Sequence, residues 1–334
     1  MTDIKIERGT KLIKVLAAQN QNERIDSDQI EKANSLISEL LEDLNPQTCH
    51  QIGQIVAFTV EELQNKALDF LGAIADEKNI NYGEKAAFKV RTDGIHAYVQ
   101  AKGATTARSY ITDHQLLVGT KEISARPAIN IVDLKAGRFN MADLIREANA
   151  KILEKKLEIV ENVLQAGFQN VNATPWYAKS TGGFNPALLE AQVLHFRRLG
   201  PVTLLGDIAA VGQLDASAGM TINTTPTWAY SGSMIDEHNG NGFLGKWKGA
   251  DVVGMNNAYK ADGVTPVLNP DWIYIVPGGQ SAEMRNLKIV NEGGINSMAS
   301  QNIDDRVTEV LLYTWFGAAF VVGKNPTAGA HEIA

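Results

Sequence analysis

The stretch MADLIREANAKILEKKLEIVENVLQA, residues 141–166, decides the fold because it predicts one long amphipathic helix. Its apolar side chains recur at steps of three and four residues in two adjacent stripes: Ile145, Ala148, Ile152, Ile159 and Val163, then Leu153, Leu157, Val160 and Leu164. Asn140 is a suitable N-cap, and Asp143 lies in the first turn, where the helix dipole favours an anion. Gly167 is the expected stop. At 1.5 Å per residue the helix is about 39 Å long. Since it lacks a strict heptad, we expect it to lie along a sheet.

Short alternating runs over 84–133, before this helix, predict strands that include a β-ribbon. Asp93-Gly94 is a favoured two-residue hairpin turn, and 102–108 is a competing turn, so two positions for the tip remain open. Lys and Arg outnumber Asp and Glu seven to five in 84–133, whereas the whole chain carries a net charge of −7. A ribbon with so few large apolar residues is marginal alone, and we expect it to lie against another surface.

Two helices are predicted before the ribbon. The first is capped by Ser27 and stopped by Pro46, and its apolar side chains are Ile30, Ala33, Ile37, Leu40 and Leu44. The second starts at Thr59, which forms a capping-box pair with Glu62, and extends to Ile74. Ile52, Ile55 and Val56 leave open a backward extension of this helix.

The chain after the long helix alternates between helical and strand patterns, which predicts an α+β fold. The predicted helices are 186–198 and 208–214, and the predicted strands are 202–205, 250–253, 272–276, 287–291 and the alternating tail 306–322.

Composition excludes several classes of protein. The 334 residues, 44% of them hydrophobic, are enough for about two domains. The one cysteine, Cys49, allows no intrachain disulfide, and its expected role is that of a small buried apolar residue. No apolar run approaches the roughly 20 residues that cross a bilayer. The net negative charge argues against a tight, sequence-independent grip on nucleic acid.

The sequence predicts no catalytic, cofactor-binding or metal site, and therefore no enzyme. None of the six histidines lies three or four residues from another His or from Cys49, so a zinc signature is absent. Residues 240–245 match G-x-G-x-x-G, but a polar loop precedes them and a strand pattern follows, which is the wrong context for a dinucleotide site. The 236–242 segment lacks the spacing of a calcium loop. Asp304-Asp305 is expected to be a solvated turn.

Three stretches carry a resemblance to a known family: 119–138 leading into the long helix, 245–253, and 315–325. With the order of the elements, they resemble the major capsid protein of tailed bacteriophages, whose fold is shared by the encapsulins. The resemblance implies an α+β fold in five parts: an N-terminal arm over 1–83, an extended E-loop β-ribbon over 84–125, a P domain over 126–184 with the spine helix 141–166 on a sheet, a compact A domain over 185–285, and a return to the P-domain sheet over 286–334.

The resemblance also implies a function. The chain would self-assemble into hexamers and pentamers of an icosahedral virion head, enclosing double-stranded DNA without sequence-specific binding and without a membrane. It would be made in the host cytoplasm, with an uncleaved arm, and would have portal, scaffold or decoration proteins as further partners. Lys89, Arg91, Lys102 and Arg108 are the implied E-loop contacts with a neighbouring subunit. An encapsulin-like nanocompartment shell and a phage tail or tube protein are the alternatives.

Overall fold

The computed structural model describes most of the chain from residue 46 onward. The described residues are 46–67, 74–93, 112–130, 141–215, 220–221, 228–229, 245–255, 257, 259–260, 262–278, 281–302, 307–322 and 327–333. The first predicted helix, Asn140 and Asp304-Asp305 lie outside these ranges. Among the helices described, none is both long enough and apolar enough to cross a membrane.

The described elements form an α+β fold. The helices are α1 Pro46–Ala67, α2 Met141–Val171, α3 Pro186–Arg197 and α4 Ile208–Gly212. The strands are β1 Ala75–Ile80, β2 Ala86–Asp93, β3 Thr112–Val118, β4 Lys121–Ala125, β5 Ala128–Asn130, β6 Tyr177–Ser180, β7 Val202–Asp207, β8 Met220–Thr221, β9 Trp228–Ala229, β10 Lys246–Trp247, β11 Ala250–Met255, β12 Trp272–Pro277, β13 Leu287–Asn302, β14 Val307–Phe320 and β15 Gly329–Ile333.

The first sheet carries the long helix. Its strands run in the order β1-β13-β14-β4, and β5 also pairs with β14. Helices α1 and α2 pack on one face of it. The first apolar stripe of α2 and the C-terminal half of the second, Val160 and Leu164, belong to the main core on that face. Ile145, Ile152, Leu312 and Phe316 are buried there. The expectation of a long helix laid along a sheet is therefore correct.

The second sheet has the strand order β10-β11-β7-β12-β15-β6. Buried residues of α3 and α4 pack with it in a second core that includes Phe196 and Trp247. Two of its strands come from outside the range 185–285: β6 precedes that range and the C-terminal strand β15 follows it. Neither strand is predicted by the sequence pattern, because each is short and the residues that pair with it are distant in the chain.

Gly167 does not stop the long helix, which continues to Val171. Its role is close packing: a Cβ atom added to Gly167 would lie 2.3 Å from Cγ of Phe320 on β14. The helix ends instead at Asn172, whose φ of 38° is left-handed and whose backbone N–H donates to the Phe168 carbonyl oxygen. The sequence pattern predicted that the helix ends at Gly167. The glycine is needed there because a side chain would overlap with Phe320.

The second helix does not start at Thr59; it extends backward through Ile52, Ile55 and Val56, the alternative that the sequence left open. Helix α1 begins at Pro46, a residue whose fixed φ suits the first turn. Thr59 lies inside the helix, is fully buried, and donates its hydroxyl hydrogen to the Ile55 carbonyl oxygen, 2.7 Å away. A threonine can make this bond within a helix as readily as it can cap one, so local sequence did not separate the two roles.

Candidate assembly surface

The ribbon, defined as β2, β3 and the chain between them, has two different faces. Its strands pair antiparallel from Ala86 opposite Val118 to Asp93 opposite Thr112. Since successive strand residues point to opposite faces, Phe88 lies on one face and Lys89 on the other. Phe88 is fully buried, whereas Leu117, on the same face as Lys89, is 59% exposed.

Phe88 anchors the root of the ribbon, by which we mean residues 82–88 and 116–120. It packs with Ala86, Val118 and Val290 of β13 in a separate small core. Two ammonium groups also approach its ring: Lys78 Nζ lies 4.6 Å from the ring centroid and Lys288 Nζ lies 5.5 Å from it. Cation–π contacts of this kind add to the burial energy of the ring.

Lys288 connects this small core to the sheet below it. The side chain is 1% exposed, and its Nζ makes an ion pair with Asp76 Oδ2 at 2.8 Å. The same Nζ donates to the Glu283 carbonyl oxygen, also at 2.8 Å. A buried ammonium requires such partners, because burial without them is costly. Lys288 therefore joins β13, β1 and the 3₁₀ turn Ala282–Met284 directly under the ribbon root.

One carboxylate holds both ends of the ribbon. The Gly83 backbone N–H, just before β2, donates to Glu292 Oε1 at 2.8 Å. The Thr120 hydroxyl, just after β3, donates to Glu292 Oε2 at 2.5 Å. These bonds, first that from Thr120 and then that from Gly83, lower the pKa of the Glu292 carboxyl group. The ribbon is thus clamped where it leaves the sheet.

The absence of a side chain at Gly317 allows the chain at the clamp to approach β14 closely. A Cβ atom added to Gly317 on β14 would lie 2.4 Å from the Gly119 carbonyl oxygen. Only a residue without a side chain allows the chain that leaves the ribbon to pass this near to β14.

The structure describes two of the four predicted contact residues. Lys89 is exposed and lies opposite Gln115, and Arg91 lies opposite Asp113. Lys102 and Arg108 lie outside the described residues. Because Asp93 still pairs with Thr112, Asp93-Gly94 is not the turn that joins β2 to β3. Residues 94–111 lie outside the described residues, and 102–108 remains a predicted tip.

A buried polar cluster of Ser180, Gln192 and His331 escaped the sequence analysis. Gln192 Nε2 donates to the carbonyl oxygens of Pro175 and Ala330, so its Oε1, 2.9 Å from His331 Nδ1, accepts from that nitrogen. His331 Nε2 then accepts from the Ser180 hydroxyl at 2.8 Å.

The cluster is structural. Ser180 is 1% exposed and the other two side chains are fully buried, so a substrate has no access to the imidazole. Desolvation lowers the pKa of His331 to about 4. The three residues come from β6, α3 and β15, and no local spacing could have indicated that they meet.

Among the described residues, no group of three or more His, Cys, Asp or Glu side chains is placed to hold a metal ion. Most of the G-x-G-x-x-G match, 240–244, lies outside the described ranges. After Gly245 the chain forms the β10–β11 hairpin. Lys248 and Gly249, at its turn, both have positive φ.

A long helix across a five-stranded sheet, a second sheet and a ribbon clamped at its root are features of the fold that phage major capsid proteins and encapsulins share. The chain belongs to the YonB family: residues 3–329 match the family described as "SPbeta prophage-derived putative capsid protein YonB". No curated protein sequence matches this chain.

Solved structures share the fold. A chain from Mycobacterium phage Adephagia is 12% identical, with 78% of this chain and 89% of that chain covered and a TM-score of 0.51. A chain from the structure "Capsid of native GTA particle computed with C5 symmetry" is 12% identical, with coverage of 80% and 90% and a TM-score of 0.54. At 12% sequence identity, the similarity to these structures shows a shared fold. Together with the family match, it confirms the predicted fold class and the prediction of a major capsid protein.

Proposed function

We propose that this capsid protein assembles into hexamers and pentamers of an icosahedral virion head that encloses double-stranded DNA. The observation that carries the proposal is the ribbon, which is held to its own subunit at the root by Phe88 and Glu292 while Lys89 and Leu117 face solvent. Such an extension is suited to contact a neighbour. Many modest contacts of this kind, repeated around a closed shell, add to a strong assembly.

The remaining expectations belong to the same proposal. The net charge of −7 suits a shell that surrounds DNA without gripping it. Synthesis in the host cytoplasm, a portal and scaffold or decoration proteins would complete the assembly. The role is structural rather than catalytic, which the inaccessible His331 cluster supports.

The domain division is also proposed, with one refinement. The five-stranded sheet with α2 would be the P domain, and the six-stranded sheet with α3 and α4 would be the A domain. In this division β6 and β15 are assigned to the A domain, because they pair with each other and β15 pairs with β12.

The test compares the full chain with a variant that lacks residues 94–108. We expect shells from the full chain by negative-stain electron microscopy, and folded subunits of unchanged circular dichroism but no shells from the deletion. A variant with Lys85→Gln, at an exposed basic residue of the root, is the control and should form shells. Normal shells from the deletion would refute the role of the ribbon. Shells that package protein and exclude DNA would favour a nanocompartment instead.

A further inference from the structure

The long helix α2 joins the two sheets of the subunit. Its N-terminal half packs on the first sheet, where Ile145 and Ile152 are buried. Near its C-terminal end, Phe168 lies between the two sheets. The centroid of its ring is 4.7 Å from that of Phe320 on β14 and 6.3 Å from that of Tyr274 on β12. The angle between the two sheets therefore depends on how α2 is held against the second one.

The apolar packing at this junction is incomplete. A small pocket lies between the two sheets, and residues of α2 and of both sheets line it, among them Leu164, Phe168, Tyr274, Leu287 and Phe320. Side chains beside such a gap lose part of their dispersion contacts. Apolar burial is also non-directional. The contacts that remain therefore hold the sheets together without fixing one angle between them.

Glu161 provides a directional contact between α2 and the loop that joins β11 to β12. Its carboxylate accepts a hydrogen bond from the Asn269 backbone N–H of that loop, and its Oε1 also accepts from Gln165 Nε2 at 3.0 Å. Glu161 is 7% exposed. A hydrogen bond to a charged acceptor is stronger than one between neutral groups, and exclusion of water strengthens it further.

Asn269 is in turn fixed to three strands of the second sheet. The backbone N–H of its neighbour Leu268 donates to Asn257 Oδ1 at 2.8 Å, and Asn257 Nδ2 donates to the carboxylate at the end of β7 at 2.6 Å. The Asp271 N–H donates to Asn269 Oδ1 at 3.0 Å, and the Asp271 carbonyl oxygen accepts from Ile333 N–H of β15 at 2.7 Å. Asp271 directly precedes β12. The bond from Asn269 to Glu161 therefore connects α2 to β7, β12 and β15 together.

We propose that Glu161 is a positioning residue that fixes the angle between the long helix and the six-stranded sheet, and through that angle the curvature of the shell. The inference rests on the proposed function. If the ribbon and the second sheet of one subunit contact different neighbours, the angle between the two sheets sets the angle between those neighbours. Because the bond recurs in every subunit, its loss would change the curvature throughout the shell.

Hydrogen exchange of unassembled subunits tests the bond itself, by mass spectrometry of peptides that contain residue 269. In Glu161→Ala the Asn269 amide should exchange about 10- to 150-fold faster, the range for loss of a hydrogen bond to a charged acceptor. Glu161→Gln keeps an acceptor oxygen without the charge and should give a smaller increase. Glu158→Ala is the control, because Glu158 lies on the same helix in an ion pair with exposed Lys155 and should leave this amide unchanged. An unchanged rate in Glu161→Ala overturns the proposal.

Particle diameters in electron micrographs test the consequence for the shell. We expect one narrow class of diameters from the unaltered chain and from Glu158→Ala, and a mixture of diameters or open sheets from Glu161→Ala. Asn257→Ala breaks the connection at the other end of the loop and should give the same mixture, with no further broadening in the double variant. If Glu161→Ala yields no folded subunits, Glu161→Gln takes its place in each comparison.

Two outcomes separate this inference from the function on which it rests. Narrow diameters from Glu161→Ala, or additive broadening in the double variant, overturn the role of Glu161 in curvature while the proposed function stands. Failure of the unaltered chain to form any shell overturns the proposed function, and the role in curvature with it.

Discussion

Gly167→Ala tests whether this glycine is a packing gap in the long helix. In an ordinary helix interior the substitution stabilises by about 1 kcal/mol. Here the new Cβ atom would lie 2.3 Å from Phe320 Cγ and 2.7 Å from Phe320 Cβ, so the helix or β14 must shift. Overpacking of this kind costs roughly 1–3 kcal/mol. Because the clash is with atoms near the Phe320 backbone, we expect the upper part of that range and a net loss of about 1–2 kcal/mol.

Phe320→Ala separates this explanation from a helix-stop role. It removes Cγ and Cδ1, the two atoms nearest the added methyl group. Cβ of Phe320, 2.7 Å from the added methyl group, remains in alanine. In urea denaturation of unassembled subunits, the cost of Gly167→Ala should therefore shrink in the Phe320→Ala background without disappearing, a coupling of roughly 1 kcal/mol. Gly119→Ala, where an added Cβ meets nothing within 4 Å, is the control and should change the free energy of unfolding by less than about 0.5 kcal/mol. The same cost of Gly167→Ala in both backgrounds would refute the packing argument.

Three further predictions concern buried charges. The pKa of His331 falls from 6.5 to about 4 on folding, so its contribution to stability is complete above pH 6.5. About 3 kcal/mol is lost as the pH falls from 6.5 to 4, and His331→Gln should remove that part of the pH dependence in urea titrations. Burial lowers the pKa of Lys156 from 10.5 to about 8, so its charged form destabilises the fold below pH 8. Lys156→Met should therefore raise the free energy of unfolding at pH 7 by up to about 3 kcal/mol, with the gain fading between pH 8 and 10.5; no gain at pH 7 would contradict this. Lys288→Met should cost about 3–5 kcal/mol by leaving Asp76 unpaired, and Asp76→Leu in the same chain should restore most of that loss in thermal unfolding.

Local patterns in the sequence predicted the elements that bury one continuous face. Helix α2, strand β2 and helix α3 each repeat apolar residues at the period of their own backbone, and that signal needs no distant partner. The same reasoning missed β1, whose sequence ADEKNI is mostly polar. Its Asp76 is buried only because Lys288, far along the chain, forms an ion pair with it.

The features of the candidate assembly surface also fall into two groups, those that the local sequence predicted and those that it did not. The ribbon and its exposed Lys89 were predictable, because alternation and basic composition are local properties. The clamp was not predictable: Glu292 accepts hydrogen bonds from residues at both ends of the ribbon, and each is more than 150 positions away from it. The edge-to-face contact of Tyr82 with Trp315 was not predictable either, because the two rings are more than 200 positions apart in the sequence.

By itself the sequence determined the long helix, the α+β order of the elements and the ribbon before the helix, because backbone periodicity and turn residues act over a few positions. The tertiary structure alone decided what several of those residues do. Gly167 became a gap for Phe320 instead of a helix stop, Thr59 an interior residue instead of a cap, and His331 a buried link between β15 and α3. The physical reason is that close packing and buried hydrogen bonds depend on which residues from distant parts of the chain lie next to a position. The neighbouring sequence does not specify those residues.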